Sequence, residues 1–208
     1  MKRKTARSSK NSKVSRKTPK ARPPKRKRKA VLAEDRFWSL IESARPARSV
    51  STALTVALKK LSAAEIIGFE NTFRRKLADA YVFPLLAANF VIGSYVSDDV
   101  FEDFRAWLIS QGRQRFKAAL SDPESICDWL DRKDVDRVDM VGESMRFIAQ
   151  NAYKPYGDGD KFYAETDYPR QPPLKQQWPN SKAEFRKRYP RLVDKFWNQS
   201  RIGKYHPV

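Results

Sequence analysis

"SDDVFEDFRAWLISQGR", residues 97–113, packs four carboxylates, two arginines and a tryptophan into about five helical turns. Read as structure, it is a capped helix. Ser97, Asp98 and Asp99 are alternative N-caps, and Asp99 with Glu102 makes an acidic relative of the capping box. Acids in the first turn also suit the positive end of the helix dipole. Phe101, Phe104 and Leu108 form an inward stripe, widened by Val100 and Trp107, while Glu102 and Arg105 pair on the outer face. Read as chemistry, Asp98/Glu102 and Asp99/Asp103 are each four residues apart and share a face. With Arg105 they would make a carboxylate cluster for a hydrolase, with or without a metal. Nearly every residue already has a structural task, and paired acids on an exposed turn ordinarily stay solvated. The capped helix is the preferred reading, and Asp98, Asp99, Glu102, Asp103 and Arg105 stay only as candidates for catalysis.

Outward from this stretch the apolar spacing is helical. "EDRFWSLIESA" puts Phe37, Ile41 and Ala44 on one stripe with Trp38 beside it, and "SVSTALTVALKKL" repeats the pattern at Val50, Leu54, Ala57, Leu58 and Leu61. Ser62 and Glu65 form a capping box that opens a helix with the stripe Ile66, Phe69, Phe73, Leu77 and Ala80. Pro84 suits a first helical position, and "PLLAANFVI" is apolar nearly all round until Gly93 stops it, so it belongs in the centre. Asp122, Pro123 and Glu124 repeat the start grammar, and "VDRVDMVGESMRFIAQNAY" gives one series at Val138, Val141, Met145, Ile148 and Ala152. Strand signals are scarce. Residues 154–180 read as a long loop whose Tyr156, Phe162, Tyr163, Tyr168 and Trp178 pack into surface grooves. Ser181 and Glu184 cap a final helix in which Pro190 marks a bend or restart, with Phe185, Tyr189, Leu192, Val193 and Phe196 inward.

The expected fold is therefore all-α: a compact multi-helix bundle over residues 34–200, wrapped by the aromatic, Pro-rich loop 154–180. Basic helices follow over 181–198, and 201–208 is an extension. Forty percent apolar residues, with five Trp, eight Tyr and twelve Phe, are enough to close a core.

Charge is uneven along the chain. Residues 1–30 hold 15 Lys/Arg and no acid, residues 31–169 hold 18 basic and 22 acidic side chains, and residues 170–208 hold 10 and 2. The three nets, +15, −4 and +8, recover the total of +19. Residues 1–33 carry too little apolar surface to offset the backbone ordering entropy of about 1–2 kcal/mol per residue, so a disordered polybasic tail is expected. Such a tail suits the DNA or RNA backbone, bound without reading bases and with strong salt dependence. Lys25, Arg26, Lys27, Arg28 and Lys29 are its densest stretch, and would be an import signal in a eukaryotic host. Arg186, Lys187 and Arg188, with Arg191 and Lys195, form an outward basic face. That face either extends the phosphate contacts or complements the acidic body.

Much chemistry is excluded by composition. His206 is the one histidine and Cys127 the one cysteine, so a nucleophilic triad would have to recruit the chain's end and no intramolecular disulfide can form. There is no zinc spacing and no phosphate-binding glycine motif, and "GDGD" at 157–160 lacks the further ligands of a calcium loop. No metal and no cofactor are expected. Nor is a membrane role: no apolar run is long enough to span, Lys2 stands where myristoylation needs glycine, and no secretory signal opens the chain. The expected location is the cytoplasm, nucleoid-associated in a bacterium, or the nucleus in a eukaryotic host.

The order of these segments resembles the bacterial family of domain of unknown function 4240 over about residues 34–197. That family opens with an acidic-Phe-Trp helix, centres on S-D-D-x-F…F-R-x-W-L-I-x-x-G-R followed by A-L-x-D-P-x-S, and closes near R-x-P-R-L. The matching positions are Phe37, Trp38, Ser97, Asp98, Asp99, Phe101, Phe104, Arg105, Trp107, Gly112 and Arg113. The chain departs in "VIGSYV", where members often carry a Gly-rich, Cys-containing approach, and in its basic C-terminal part. The polybasic tail lies outside the pattern. The resemblance implies no particular activity. The function expected is a non-enzymatic helical domain held to nucleic acid by its tail. The alternatives are an adaptor for an unidentified protein partner and the carboxylate-dependent hydrolase.

Overall fold

The computed structural model describes residues 31–202. The polybasic stretch 1–30, including Lys25–Lys29, and residues 203–208 lie outside the described residues. Twelve helices and two 3-10 turns follow one another among the described residues, with no strand between them. They are α1 Glu34–Ala44, α2 Val50–Leu58, α3 Ala63–Asp79, α4 Phe83–Gly93, α5 Asp98–Ser110, α6 Arg113–Ser121, the 3-10 turns Pro123–Asp128 and Arg132–Asp134, α7 Arg137–Arg146, α8 Ile148–Tyr153, α9 Gly159–Glu165, α10 Lys182–Arg188, α11 Pro190–Phe196 and α12 Gln199–Ile202. No single helix among them is long and apolar enough to cross a membrane, and α3 with α4 reach that length only as a pair bent by 87°.

Local chemistry sets the boundaries. Ser62 and Glu65 make the expected reciprocal box at the start of α3. At α5 the Ser97 hydroxyl accepts from the Val100 N–H, so Ser97 is the cap and Asp98 and Asp99 occupy the first turn. The Asp99–Glu102 box does not form. Helix α4 begins at Phe83, which puts Pro84 second rather than first. Its stop is Ser94, in the left-handed region at φ 65°, with Gly93 as the last helical residue. Ser181 accepts from the Glu184 N–H, but the Glu184 carboxylate returns to the N–H of Asn180 instead of Ser181.

Two expected elements are divided differently. The run from Val138 to Ala152 breaks into α7 and α8 at Phe147, where the backbone leaves regular helix at φ −107°, ψ −1°. The loop 154–180 contains α9, because Asp158 caps it by accepting from the Lys161 N–H. "GDGD" is thus a helix start. Of the five rings expected to pack, Phe162 is buried against Tyr153 and Trp178 sits edge-on to Phe83, Phe90 and Phe185, whereas Tyr156, Tyr163 and Tyr168 stay exposed.

The expected stripes of α1, α3 and α11 are buried in one continuous core. Each fully buried Phe or Leu contributes about 1.5–3 kcal/mol. Helix α5 runs through its centre, packed most extensively on α7. From Phe104 to Ser110 every residue of α5 is buried, Arg105 included, so its second half has no charged outer face. The close approach rests on Gly142 of α7: a Cβ there would lie 2.0 Å from the Asp103 carbonyl oxygen. Gly112, at φ 89°, turns the chain from α5 into α6. Its carbonyl then accepts the first bond of α6, from Phe116 N–H.

Candidate functional site

The sequence candidates on α5 point in different directions. Asp98 and Asp99 lie exposed on the first turn. Glu102 turns to α3 and α7, accepting from Arg74 Nη1 at 2.9 Å with Arg146 Nε 3.5 Å away. Asp103 accepts from Arg146 Nη1 at 2.9 Å. Arg105 makes no pair with Glu102. It is 2% exposed and spans from α5 to the end of α3, donating from Nε to the Phe101 carbonyl at 3.0 Å and from Nη1 to the Leu77 carbonyl at 2.8 Å. Its guanidinium lies 4.6 Å from the Phe101 ring and 5.0 Å from that of Tyr81. Burial pushes this guanidinium down to about 10. A cation facing the last carbonyls of α3 also complements the negative end of that helix, so Arg105 is a brace between helices.

A residue that the apolar spacing did not mark completes the arrangement. Glu70 of α3, 1% exposed, accepts from Arg74 Nε at 2.7 Å. The result is a chain of alternating charge, Glu70–Arg74–Glu102–Arg146–Asp103, linking α3, α5 and α7. Tyr168 roofs it, with Arg74 4.6 Å from its ring centroid. Burial raises the carboxyls of Glu70 and Asp103 above the ordinary carboxylate range, opposed by Arg74 and Arg146 respectively. Three carboxylates held by two arginines lack the open acid/base geometry that hydrolysis needs. Among the described residues, no group of three or more Asp, Glu, His or Cys side chains is placed to hold a metal ion.

The basic face predicted at the C-terminal end is largely engaged. Arg186 pairs with Asp194, its Nε donating at 2.9 Å, and Arg188 donates to the Gln177 carbonyl at 3.0 Å. Lys187 stands exposed between them. Arg191 pairs with Asp128, Lys195 donates to the Cys127 carbonyl at 2.7 Å, and Glu124 accepts the Arg191 and Leu192 N–H groups at the start of α11. These cations fasten α11 to the 3-10 turn Pro123–Asp128.

Among the described residues, cations without a carboxylate partner gather elsewhere, in a groove between α2 and α7–α8 where Arg48, Lys59, Arg115 and Lys154 lie. One end is a cleft of about 790 Å³, walled by the α1–α2 turn, the end of α5, α6 and α7. Its aromatic wall is Trp107 and Trp129, with ring centroids 5.3 Å apart and the Arg115 guanidinium 4.8 Å from that of Trp129. A second cleft of about 610 Å³ continues it along α8, and Ser51 and Ser144 line both.

The family model for a protein of unknown function, DUF4240, matches residues 32–155. The chain belongs to the DUF4240 family. The matched region runs from α1 to the end of α8 and contains the charge chain except Tyr168, together with the whole groove. It stops short of the expected limit near residue 197, so α9–α12 lie beyond it although Phe185, Leu192, Val193 and Phe196 complete the same core. The positions that carry the DUF4240 resemblance prove structural in large part: Ser97 caps α5, Arg105 braces α3, Gly112 makes the turn, and Arg113 Nη2 reaches Asp35 of α1 at 2.6 Å. No curated protein and no solved structure matches the chain.

Proposed function

We propose that this DUF4240 protein is a non-enzymatic helical binding domain, held on DNA or RNA by phosphate contacts from its N-terminal polycation. The observation that carries the reading is 15 Lys/Arg without an acid in residues 1–30. Each neutralised phosphate releases a counterion, so log K falls by about 0.9 per contact against log salt on duplex DNA. The dispersal of the α5 carboxylates supports a binding role over the hydrolase reading. Arg186 and Arg188, already bonded within the body, contribute less than Lys25–Lys29. The location that follows is wherever nucleic acid is concentrated, the nucleoid of a bacterium or the nucleus of a eukaryotic host.

Retention on an unspecific DNA duplex across a salt series tests this. The full chain should bind with a steep salt slope, and a version beginning at Val31 should lose most of both affinity and slope. Equal binding by the two, or a flat slope, refutes the proposal.

A further inference from the structure

We infer that the groove between α2 and α7–α8 is a docking site for an acidic amphipathic segment of a partner protein. The inference does not depend on nucleic-acid binding by the tail.

Charge supports it first. Arg45, Arg48, Lys59, Arg115, Arg137 and Lys154 line the groove. Its acids are Glu42, Asp134 and Glu143, so six cations face three anions for a net of +3. The surrounding stretch 31–169 carries 22 acids against 18 cations. Two of the three acids are already engaged: Glu42 accepts from Arg45 at 2.7 Å and from the Arg113 N–H at 3.0 Å, and Asp134 lies 3.6 Å from Arg137. Among the described residues no carboxylate lies within ion-pairing distance of Arg48, Lys59, Arg115 or Lys154. A positive strip on a negative body selects anionic occupants.

Apolar exposure narrows the class. Met140 is 61%, Val56 52% and Phe147 42% exposed, and all three line the groove. Met140 and Ser144 on α7 and Phe147 at its C-cap follow one another at spacings of four and three, which is the register by which a helix presents one face. Hydrocarbon beside unpaired cations fits a segment that carries acids on one side and apolar anchors on the other, laid helix-in-groove. Phosphate backbones have no use for Met140, Val56 and Phe147. A lipid surface would meet a ridge better than a concave trough. The chain's own N-terminal stretch has the same sign as the groove and is repelled.

The three methionines of the full chain make the test direct: Met140 lies in the groove, Met145 is buried one turn on, and Met1 belongs to the polybasic stretch. With methionine methyls labelled with carbon-13, the probe is a Leu/Glu helix-forming peptide of about sixteen residues with its leucines on one face. The Met140 methyl should shift saturably while Met145 holds still. A scrambled peptide of the same composition should bind about tenfold weaker, a difference of about 1.4 kcal/mol. Arg48→Glu with Arg115→Glu should weaken the amphipathic peptide by at least about tenfold. If Met145 shows that this variant no longer folds, Val56→Glu makes the same test from the apolar side and leaves the Met140 reporter in place. Movement of Met1 alone, equal binding of both peptides, unchanged affinity in a folded variant, or stronger displacement of Met140 by an oligonucleotide, by anionic vesicles or by raised protein concentration would each overturn the assignment.

Discussion

Along one face of α7, Gly142 lies against the Asp103 carbonyl, Met145 is buried and Arg146 is bonded to α5. Along the other, Met140 and Phe147 are exposed beside cations with no carboxylate partner. The two faces belong to α7 and its C-cap yet are finished in opposite ways. Where charge serves the fold, it is closed internally: three acids are matched to two arginines, and Arg105 is spent on backbone carbonyls. Buried charge left without a partner is costly, so such closure is what a core requires. The open face is under no such constraint, and its unpaired groups are free for a ligand.

The contrast is tested most severely at Gly142. With 2.0 Å between a would-be Cβ and a backbone oxygen, Gly142→Ala must separate α5 from α7. A cost of about 3 kcal/mol, at the upper end for overpacking, lowers the melting temperature by roughly 6–12 °C in a chain of this size. Met140→Ala on the open face should stay within about 0.5 kcal/mol. Equal melting temperatures for the two variants would mean that the faces do not differ as described.

The fold was legible wherever one residue's neighbours in sequence are also its neighbours in space. The Ser62–Glu65 box, the Asp122–Pro123 start and the stripe from Ile66 to Ala80 are local facts, and periodicity reports them. What failed was the assignment of partners to charge. Glu102 and Arg105, three apart, satisfy the helix rule, but Glu102 meets Arg74 twenty-eight positions away and Arg105 meets the Leu77 carbonyl. Charged side chains seldom enter a core, so the sequence reading placed Arg105 outside and did not single out Glu70. Glu70 and Arg74 at i, i+4 were the available signal. The groove was illegible for the same reason, since its walls come from α1–α2, α5, α6 and α7–α8, which only tertiary packing brings together.

The start of α5 gives a smaller test of the same distinction. Ser97 holds the Val100 N–H, so Ser97→Ala should cost about 1 kcal/mol. Asp99 offers only its charge near the helix N-terminus, and Asp99→Ala should cost about 0.3 kcal/mol, less at high salt. Urea denaturation of the two variants resolves the order. If Asp99→Ala proved the more damaging, the exposed turn would carry a specific interaction, and the separation of closed structural charge from open charge would break there.

The finest discrimination concerns Glu70, where burial and the Arg74 pair oppose each other. Burial is the larger influence and lifts the folded-state carboxyl above its ordinary value of 4.5. The folded chain therefore takes up a proton at higher pH than the unfolded chain. Stability from this group is absent well above the raised value, grows as pH falls through it, and is complete below 4.5. Glu70→Gln removes the titration while leaving Arg74 paired with Glu102. The melting temperature of the natural chain, measured against that of Glu70→Gln, should accordingly improve between pH 7 and pH 4.5. A difference that instead moves against the natural chain on acidification would mean that Arg74 outweighs burial, and that the charge chain across α3, α5 and α7 stabilises the fold by attraction and not only by satisfying its own members.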